Sequence, residues 1–349
     1  MLRLSFFLFP VMIFLTGLCP AQKISKHYVS FNPESRNESG VRVVFYNVEN
    51  LFDFKKDTLA KDDEFLPEGL YHWTPGKFFN KLQSISKVIL STGGWEPPEI
   101  IGLAEVENQT VVHLFATRSP LAPFNYQVVH YESPDVRGID VALLFRPDKF
   151  RLLYSAPLTV KLTSEPLFST RDILYVKGIV LNKDTLHLFV NHWPSKLGGE
   201  KLSTPHRMAA ARRLKRSVDS LLIINPAAHI LVMGDLNDVP TSPVVSSLTE
   251  NGGLSLNLMA TPLQKREKGS YKFNGKWSII DQFIVSSALL QKNGLHVKDG
   301  ARIFAASFLL VTDEKFGGEK PFRSFQGPHY TGGYSDHLPV YVDLVYPKY

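Results

Sequence analysis

The chain has 349 residues, 44% hydrophobic and 21% charged, with a formal net charge of +6. That is enough for one large globular domain or two small ones with a substantial core, and the positive balance points to an anionic partner such as nucleic acid, a phospholipid surface or a phosphorylated metabolite. Its single cysteine, Cys19, excludes a disulfide framework and a thiolate metal site.

The N-terminus, MLRLSFFLFPVMIFLTGLCPAQKIS, has one Arg, an apolar stretch over 4–18 and small residues near Ala21. Short and interrupted by Pro10, it reads as a secretory signal peptide over residues 1–21, cleaved after Ala21 to leave Gln22 first. Leu18 is bulky where a lipidation signal at Cys19 needs a small residue. Residues 22–40 read as a short polar tether, and 41–349 as one domain.

From Val41 onward, apolar runs with the character of strands recur in order: VRVVFYNV, PEIIGLAEV, YQVVHY, DVALLF, LYVKGIVLN, DTLHLFVNHW, HILVMGDLN, IIDQFIVSS and LPVYVDLVY. Helical periodicity lies between them in KFFNKLQSISKVILSTG, TVVHLFATRS, HRMAAARRLKRSVDSLLI and SPVVSSLTENGG. Interleaved strands and helices without repeats predict a layered α/β or α+β sandwich. Between Ser287 and Gly333 the pattern turns irregular, and this stretch reads as a long surface loop of the kind that often serves function.

Polar residues recur where these runs end. Asn47 and Glu49 follow the first run, Glu105 the second, His192 a later one, and Asp235 and Asn237 interrupt ILVMGDLND; Asp281 opens DQFIV, and Asp336-His337 precede the last run. Each alone reads as a turn former or a structural hydrogen bonder. Together they imply convergence at one face of a sheet. Glu49, Glu105 and Asp336 are hard oxygen ligands suited to Mg²⁺ or Mn²⁺, while His192 and His337 can move protons or bond phosphate oxygens near neutral pH. That is equipment for hydrolysing a phosphate ester.

The ordered motifs NVEN, GLAEVEN, NHWPS, GDLND, DQFIV and SDHLPV resemble the endonuclease/exonuclease/phosphatase superfamily over residues 41 to 345. The resemblance implies an α+β fold, a four-layer αββα sandwich of two packed β-sheets flanked by helices, and divalent-metal-dependent hydrolysis with Mg²⁺, Mn²⁺ or Ca²⁺. It implies that Asn47 orients the aspartate beside the nucleophile, Glu105 is the principal metal ligand, Asp235 activates water and Asn237 binds phosphate or metal. Glu49 stands where relatives often carry Asp. Asp281 would polarise His337, Asp336 would lie near the metal, and His192 matches a second family histidine.

In DVRGIDVALLFRP, Arg137 offers a planar fork for phosphate oxygens, and Asp140 is a candidate to orient His192. Arg323 is a further phosphate candidate and Arg207 a candidate to cover the site. Arg212, Arg213, Lys215 and Arg216 read as a solvated helix face, and Asp238 as a turn cap. The expected activity is exported hydrolysis of DNA or RNA phosphodiesters by a monomer in the periplasm or medium. The alternatives are a phosphatase or phosphodiesterase for lipid headgroups, inositol phosphates or nucleotides, and, more remotely, a non-catalytic binding module.

Overall fold

A computed structural model describes residues 39–58, 60–250, 253–260 and 268–347. The expected signal peptide and nearly all of the tether lie outside the described residues. Along the first part of the chain run β1 (Gly40–Leu51), α1 (Pro75–Gly93), β2 (Ile100–Val106), α2 (Gln109–Arg118), β3 (Gln127–His130), β4 (Asp140–Phe145), β5 (Phe150–Leu158), β6 (Ile173–Val180) and β7 (Asp184–His192). Then come α3 (Glu200–Ile224), β8 (His229–Asp235), α4 (Pro243–Ser246), β9 (Leu256–Asn257), β10 (Tyr271–Phe273), β11 (Lys276–Ser278) and β12 (Asp281–Val285). The chain closes with β13 (His296–Ile303), β14 (Leu310–Thr312), β15 (Glu319–Pro321), β16 (Phe325–Gln326), β17 (His329–Tyr330) and β18 (Val340–Val345).

Two six-stranded sheets form, in the orders β13-β18-β1-β2-β4-β3 and β5-β6-β7-β8-β12-β9. The central strands are apolar on both faces, and their period of two divides the residues between two cores. Phe45 and Val43 of β1 meet Leu231 and Met233 of β8 in a core between the sheets. Tyr46 and Val48 of β1 face the other way, packing with Phe78, Leu82 and Ile85 of α1 and Val111 and Phe115 of α2. Ile230 and Val232 of β8 likewise pack with Ala210, Leu214 and Val218 of α3. The result is the expected α+β four-layer sandwich. Each fully buried aliphatic or aromatic side chain contributes about 1.5–3 kcal/mol, so the three cores dominate the stability.

Helix α1 begins two residues before the expected run, because Pro75 is suited to the first helical position and the Thr74 hydroxyl accepts from the Lys77 amide at 3.4 Å. It ends before Gly94, whose φ of 74° stops the helix. Helix α3 starts at Glu200, ahead of the expected run, and α4 is a single turn rather than the longer helix expected.

Three strands of the two large sheets escape the sequence reading, β5, β9 and β13, and all three are sheet edges. An edge strand pairs on one side only and keeps polar residues, so FRLLYSAPL and HVKDGARI lack the continuous apolar character of central strands. β13 also replaces part of the expected 287–333 loop, and the rest is tightened by the β14–β15 and β16–β17 hairpins. Phe325 is buried, and Phe304 and Phe308 pack on the α1 side of the core.

Pairing direction positions the site. β1 and β2 are parallel, as are β7 and β8, so their four C-terminal ends lie at one margin of the sandwich. β4, β12 and β18 run antiparallel to these neighbours and begin at that same margin.

Candidate functional site

The register across the second sheet aligns His192 with Asp235 and Asp235 with Asp281, so three polar residues form one row. His337, arriving just before β18, donates from Nδ1 to Asp281 Oδ2 at 2.8 Å and lies with Nε2 3.8 Å from Asp235 Oδ2. From the first sheet, Asn47 reaches across: its Nδ2 donates to Asp235 Oδ2 at 3.1 Å and to Glu105 Oε1 at 3.3 Å. His192 Nε2 stands 3.7 Å from Asp235 and 3.8 Å from Glu105. One amide therefore ties the two sheets together where they meet the cluster.

The strands end here in strained turns. Glu49, Asn50, Glu105 and Asn237 all have positive φ, of 54°, 54°, 63° and 49°, although none is glycine. Such conformations cost about 1–3 kcal/mol each and cluster at functional sites. They are held by local bonds: the Asn50 amide donates to Glu105 Oε2 at 2.9 Å, and the Asn237 amide to Asp235 Oδ1 at 2.8 Å. Alternate residues share a face in a regular strand; these kinks aim successive residues at one edge instead.

Burial sets the protonation states. It pushes the Asp235 carboxyl up to about 7, against the opposing pull of His337. Burial alone would lower His337, but the Asp281 carboxylate, then Asp235 and Asp336, raise it well above the usual histidine range. His192 moves the other way, well below that range, through burial and then the positive charges of Arg171, Arg137 and His337. The two imidazoles are thus opposites, His337 a cation and His192 neutral, as arises when one is hydrogen-bonded to a carboxylate and the other only lies near carboxylates without a hydrogen bond. His192 Nδ1 and Asp281 Oδ1 are buried without a hydrogen-bond partner among the described residues.

Of the expected metal carboxylates, Glu105 and Asp336 keep some exposure, 14% and 22% of their side chains. Glu49 is 4% exposed with both oxygens engaged: Oε1 accepts from Arg323 at 2.7 Å and Oε2 from the Ser324 amide at 2.8 Å. Burial and then Asp336 raise its pKa to about 7, opposed by Lys81 and Arg323. Arg323 also pairs with Asp336 at 3.2 Å, which brings this expected phosphate binder to the margin. Arg137 arrives there too, its guanidinium donating to Asn50 Oδ1 at 2.5 Å and lying 3.9 Å from Glu105.

Two expectations are corrected. Asp140 does not orient His192: it begins β4 in the other sheet, where Oδ2 pairs with His130 Nε2 at 3.1 Å and Oδ1 holds Ser133. Arg207 does not cover the site, because α3 carries it into the interior. It is 0% exposed, paired with Asp238 at 3.2 Å, and so pins the start of α3 to the loop after β8. Asp238 caps its turn as expected, accepting from the Val239 amide at 3.0 Å, and pairs with Lys196 besides.

The sequence reading missed Lys81, which is 1% exposed, 3.9 Å from Glu49, and donates to the Tyr334 carbonyl at 2.7 Å and to the Ser324 hydroxyl. Burial lowers its pKa to about 8. It anchors the 322–334 segment, and with it Arg323, to α1. A signal existed: Lys81 occupies an apolar position in the helical spacing Phe78, Lys81, Leu82, Ile85. Also missed were Tyr271, whose ring lies 4.8 Å from that of His337, and Arg171, which bonds Asp135 at 3.0 Å and the Trp193 carbonyl at 2.8 Å.

The geometry can be set beside known proteins. The sequence profile of the endonuclease/exonuclease/phosphatase family matches residues 42–346. No curated protein sequence matches the chain. Among solved structures, the human Nocturnin catalytic domain with bound sulfate is similar at TM-score 0.54 and 17% identity, over 88% of this chain and 95% of that one. An endonuclease/exonuclease/phosphatase family protein from Bacteroides thetaiotaomicron gives TM-score 0.54 and 16% identity over 89% and 99%. D. rerio TDP2 complexed with a single-strand DNA product gives TM-score 0.54 and 16% identity over 88% and 99%. These likenesses are of fold. With the profile spanning nearly all of the described chain, and the six motifs brought to one margin of two packed sheets, the protein belongs to the endonuclease/exonuclease/phosphatase family, whose enzymes hydrolyse phosphate esters with a divalent metal.

Proposed function

We propose that the protein is an exported nuclease that hydrolyses phosphodiester bonds of DNA or RNA by in-line attack of water. The observation that carries the reading is the buried row His192–Asp235–Asp281 with His337 set against Asp235 and Asp281. Asp235, held by Asn47 and Asn237, is positioned to take the proton of the attacking water, and a carboxylate near pH 7 is matched to that task. His337, kept cationic by Asp281, donates from Nε2 to the oxygen on which charge develops. Neutral His192 bonds a nonbridging oxygen, and Arg137 and Arg323 offer planar forks to the phosphate. Water adds to phosphorus, its proton passes to Asp235, and the P–O bond to the leaving oxygen breaks with no covalent enzyme intermediate.

The donor set suits a hard divalent cation such as Mg²⁺. Glu105 and Asp336 are oxygen donors with exposed edges, and acidic groups are crowded enough that Asp336 raises Glu49. Glu105 and Asp336 would hold the ion, with Glu49 holding Arg323 beside it. When bound there, the ion supplies positive charge to phosphate oxygens. The net charge of +6 supports a polyanionic substrate.

The test is hydrolysis by the purified mature protein with Mg²⁺, Mn²⁺ or Ca²⁺ on plasmid DNA, sphingomyelin vesicles and soluble phosphomonoesters, with Asp235→Ala as control. Nicking of the plasmid that disappears in the control supports the nuclease reading. Headgroup or phosphate release without nicking moves the protein to the phosphatase or lipid phosphodiesterase branch. Export is tested by N-terminal sequencing of the secreted protein, where Gln22 is expected first and a retained Met1 overturns it.

A further inference from the structure

The basic residues of α3 are solvated as expected, and they also line a groove. Between α3 and the outer side of β5 and β6 lies a cavity of about 690 Å³, lined by Tyr154, Tyr175, Lys161, Arg213 and Arg216 among others. A second cavity of about 590 Å³, lined by Arg212 and Lys215, shares Lys161, Thr163 and Arg216 with it, so the two adjoin. Among the described residues, Lys161, Arg212 and Arg216 pair with no carboxylate, and Asp219 on the same wall is taken by Lys215 at 3.1 Å. Cations held in a concavity without counter-charge are a site for an anionic chain.

The floor is aromatic. Tyr154 is 57% exposed and lies 6.1 Å from Tyr175, which packs 5.0 Å from Phe189. Phe189 also lines the groove; His192 ends the same strand three residues later, on the opposite face of the sheet.

We propose that this groove is a binding track for single-stranded nucleic acid outside the hydrolytic site, with Lys161, Arg212 and Arg216 on backbone phosphates and Tyr154 beneath a base. The inference rests on the nuclease reading and deepens it. Interleaved cations and aromatic faces in a groove are the recurring solution for single strands, because every base has a face to stack while the backbone follows the positive charge.

The experiment measures binding of a fluorescent oligodeoxythymidylate of roughly 20 nucleotides, long enough to fill one or more such tracks, in EDTA so that no hydrolysis intervenes. The full-length exported protein is compared with Arg212→Glu/Arg216→Glu and with Tyr154→Ala, all at exposed positions. The charge reversal should weaken binding at least tenfold and make the slope of log K against log salt shallower by about 1.4, the release expected for two lost phosphate contacts. Tyr154→Ala should weaken binding by roughly fivefold or more with the slope unchanged. Hydrolysis of a small soluble phosphodiester should be unaltered in both. Unchanged affinity and slope, absence of binding by the wild type, or binding to anionic vesicles lost in place of oligonucleotide binding would each overturn the track. If the wild type binds through the groove yet cleaves no phosphodiester, the nuclease reading fails and the track stands; if it cleaves DNA while charge reversal leaves binding unchanged, the track fails alone.

Discussion

At the margin of the two sheets, Asn47, His192, Asp235, Asp281 and His337 are each at most 5% exposed; along α3, Arg212 and Arg216 stand in solvent. The first region holds charge out of water, so neighbours move its ionisation by large amounts, up for Asp235 and His337 and down for His192. The second leaves charge hydrated, where it attracts a polyanion and is screened by salt. Proton transfer needs groups fixed in geometry and protonation state. Holding a flexible strand needs only accessible charge and a stacking surface.

The largest expected effect falls on the buried region. Asp235→Ala should lower kcat/KM on a phosphodiester by on the order of 10³, with the circular dichroism spectrum unchanged; activity within tenfold of the wild type would break the contrast. Asp281→Asn should lose about 10², because an amide no longer holds the His337 cation. NMR titration should show the His337 pKa falling in that variant, and an unmoved value would remove Asp281 as its cause.

Glu107, 2% exposed just past β2, extends the test from activity to stability. Burial pushes its carboxyl from 4.5 up to about 8, partly opposed by the Asp53 amide, which donates to it at 2.6 Å. A folded-state pKa above the unfolded one means the native state binds the extra proton between roughly pH 4.5 and 8, so this residue's contribution is lost as pH rises through that window. Glu107→Gln keeps an acceptor for Asp53 and no charge. Its Tm should exceed that of the wild type at pH 9 and converge on it near pH 4, below the unfolded pKa, and equal values at both would show that Glu107 is not held neutral. The smallest effect belongs to the groove: Arg212→Glu should change folding stability by within about 0.5 kcal/mol in urea denaturation, while still altering salt-dependent binding.

How far each region is legible in sequence follows the same division. The margin announces itself because carboxylates, amides and imidazoles interrupt apolar strands at Asn47, Glu105, His192, Asp235, Asp281 and His337. Arg207 and Asp140 carry the same residue chemistry but point elsewhere, into Asp238 and His130, and only packing reveals that. Lys81 hides because a lysine in an amphipathic helix is read as surface until the segment covering it is known. The α3 arginines look like a solvated face because a groove needs two walls, and the second comes from β5 and β6, which β7 separates from α3 in the chain. β5 and β13 were illegible for the reason common to edge strands: half their backbone partners are absent and their side chains follow solvent.

Composition and pattern by themselves determined a layered domain of strands and helices, α/β or α+β, because the central strands must be apolar on both faces to lie between layers, and the family resemblance added that it is α+β. They also named most of the residues at the margin, because burying a polar group at a strand end is costly without function. Tertiary structure decided which oxygens are free and which are paired, that His337 is charged and His192 neutral, that Glu49 holds Arg323, and that a run of arginines borders a recess. These depend on distances between residues remote in sequence, which come together only when two sheets pack and exclude water between them.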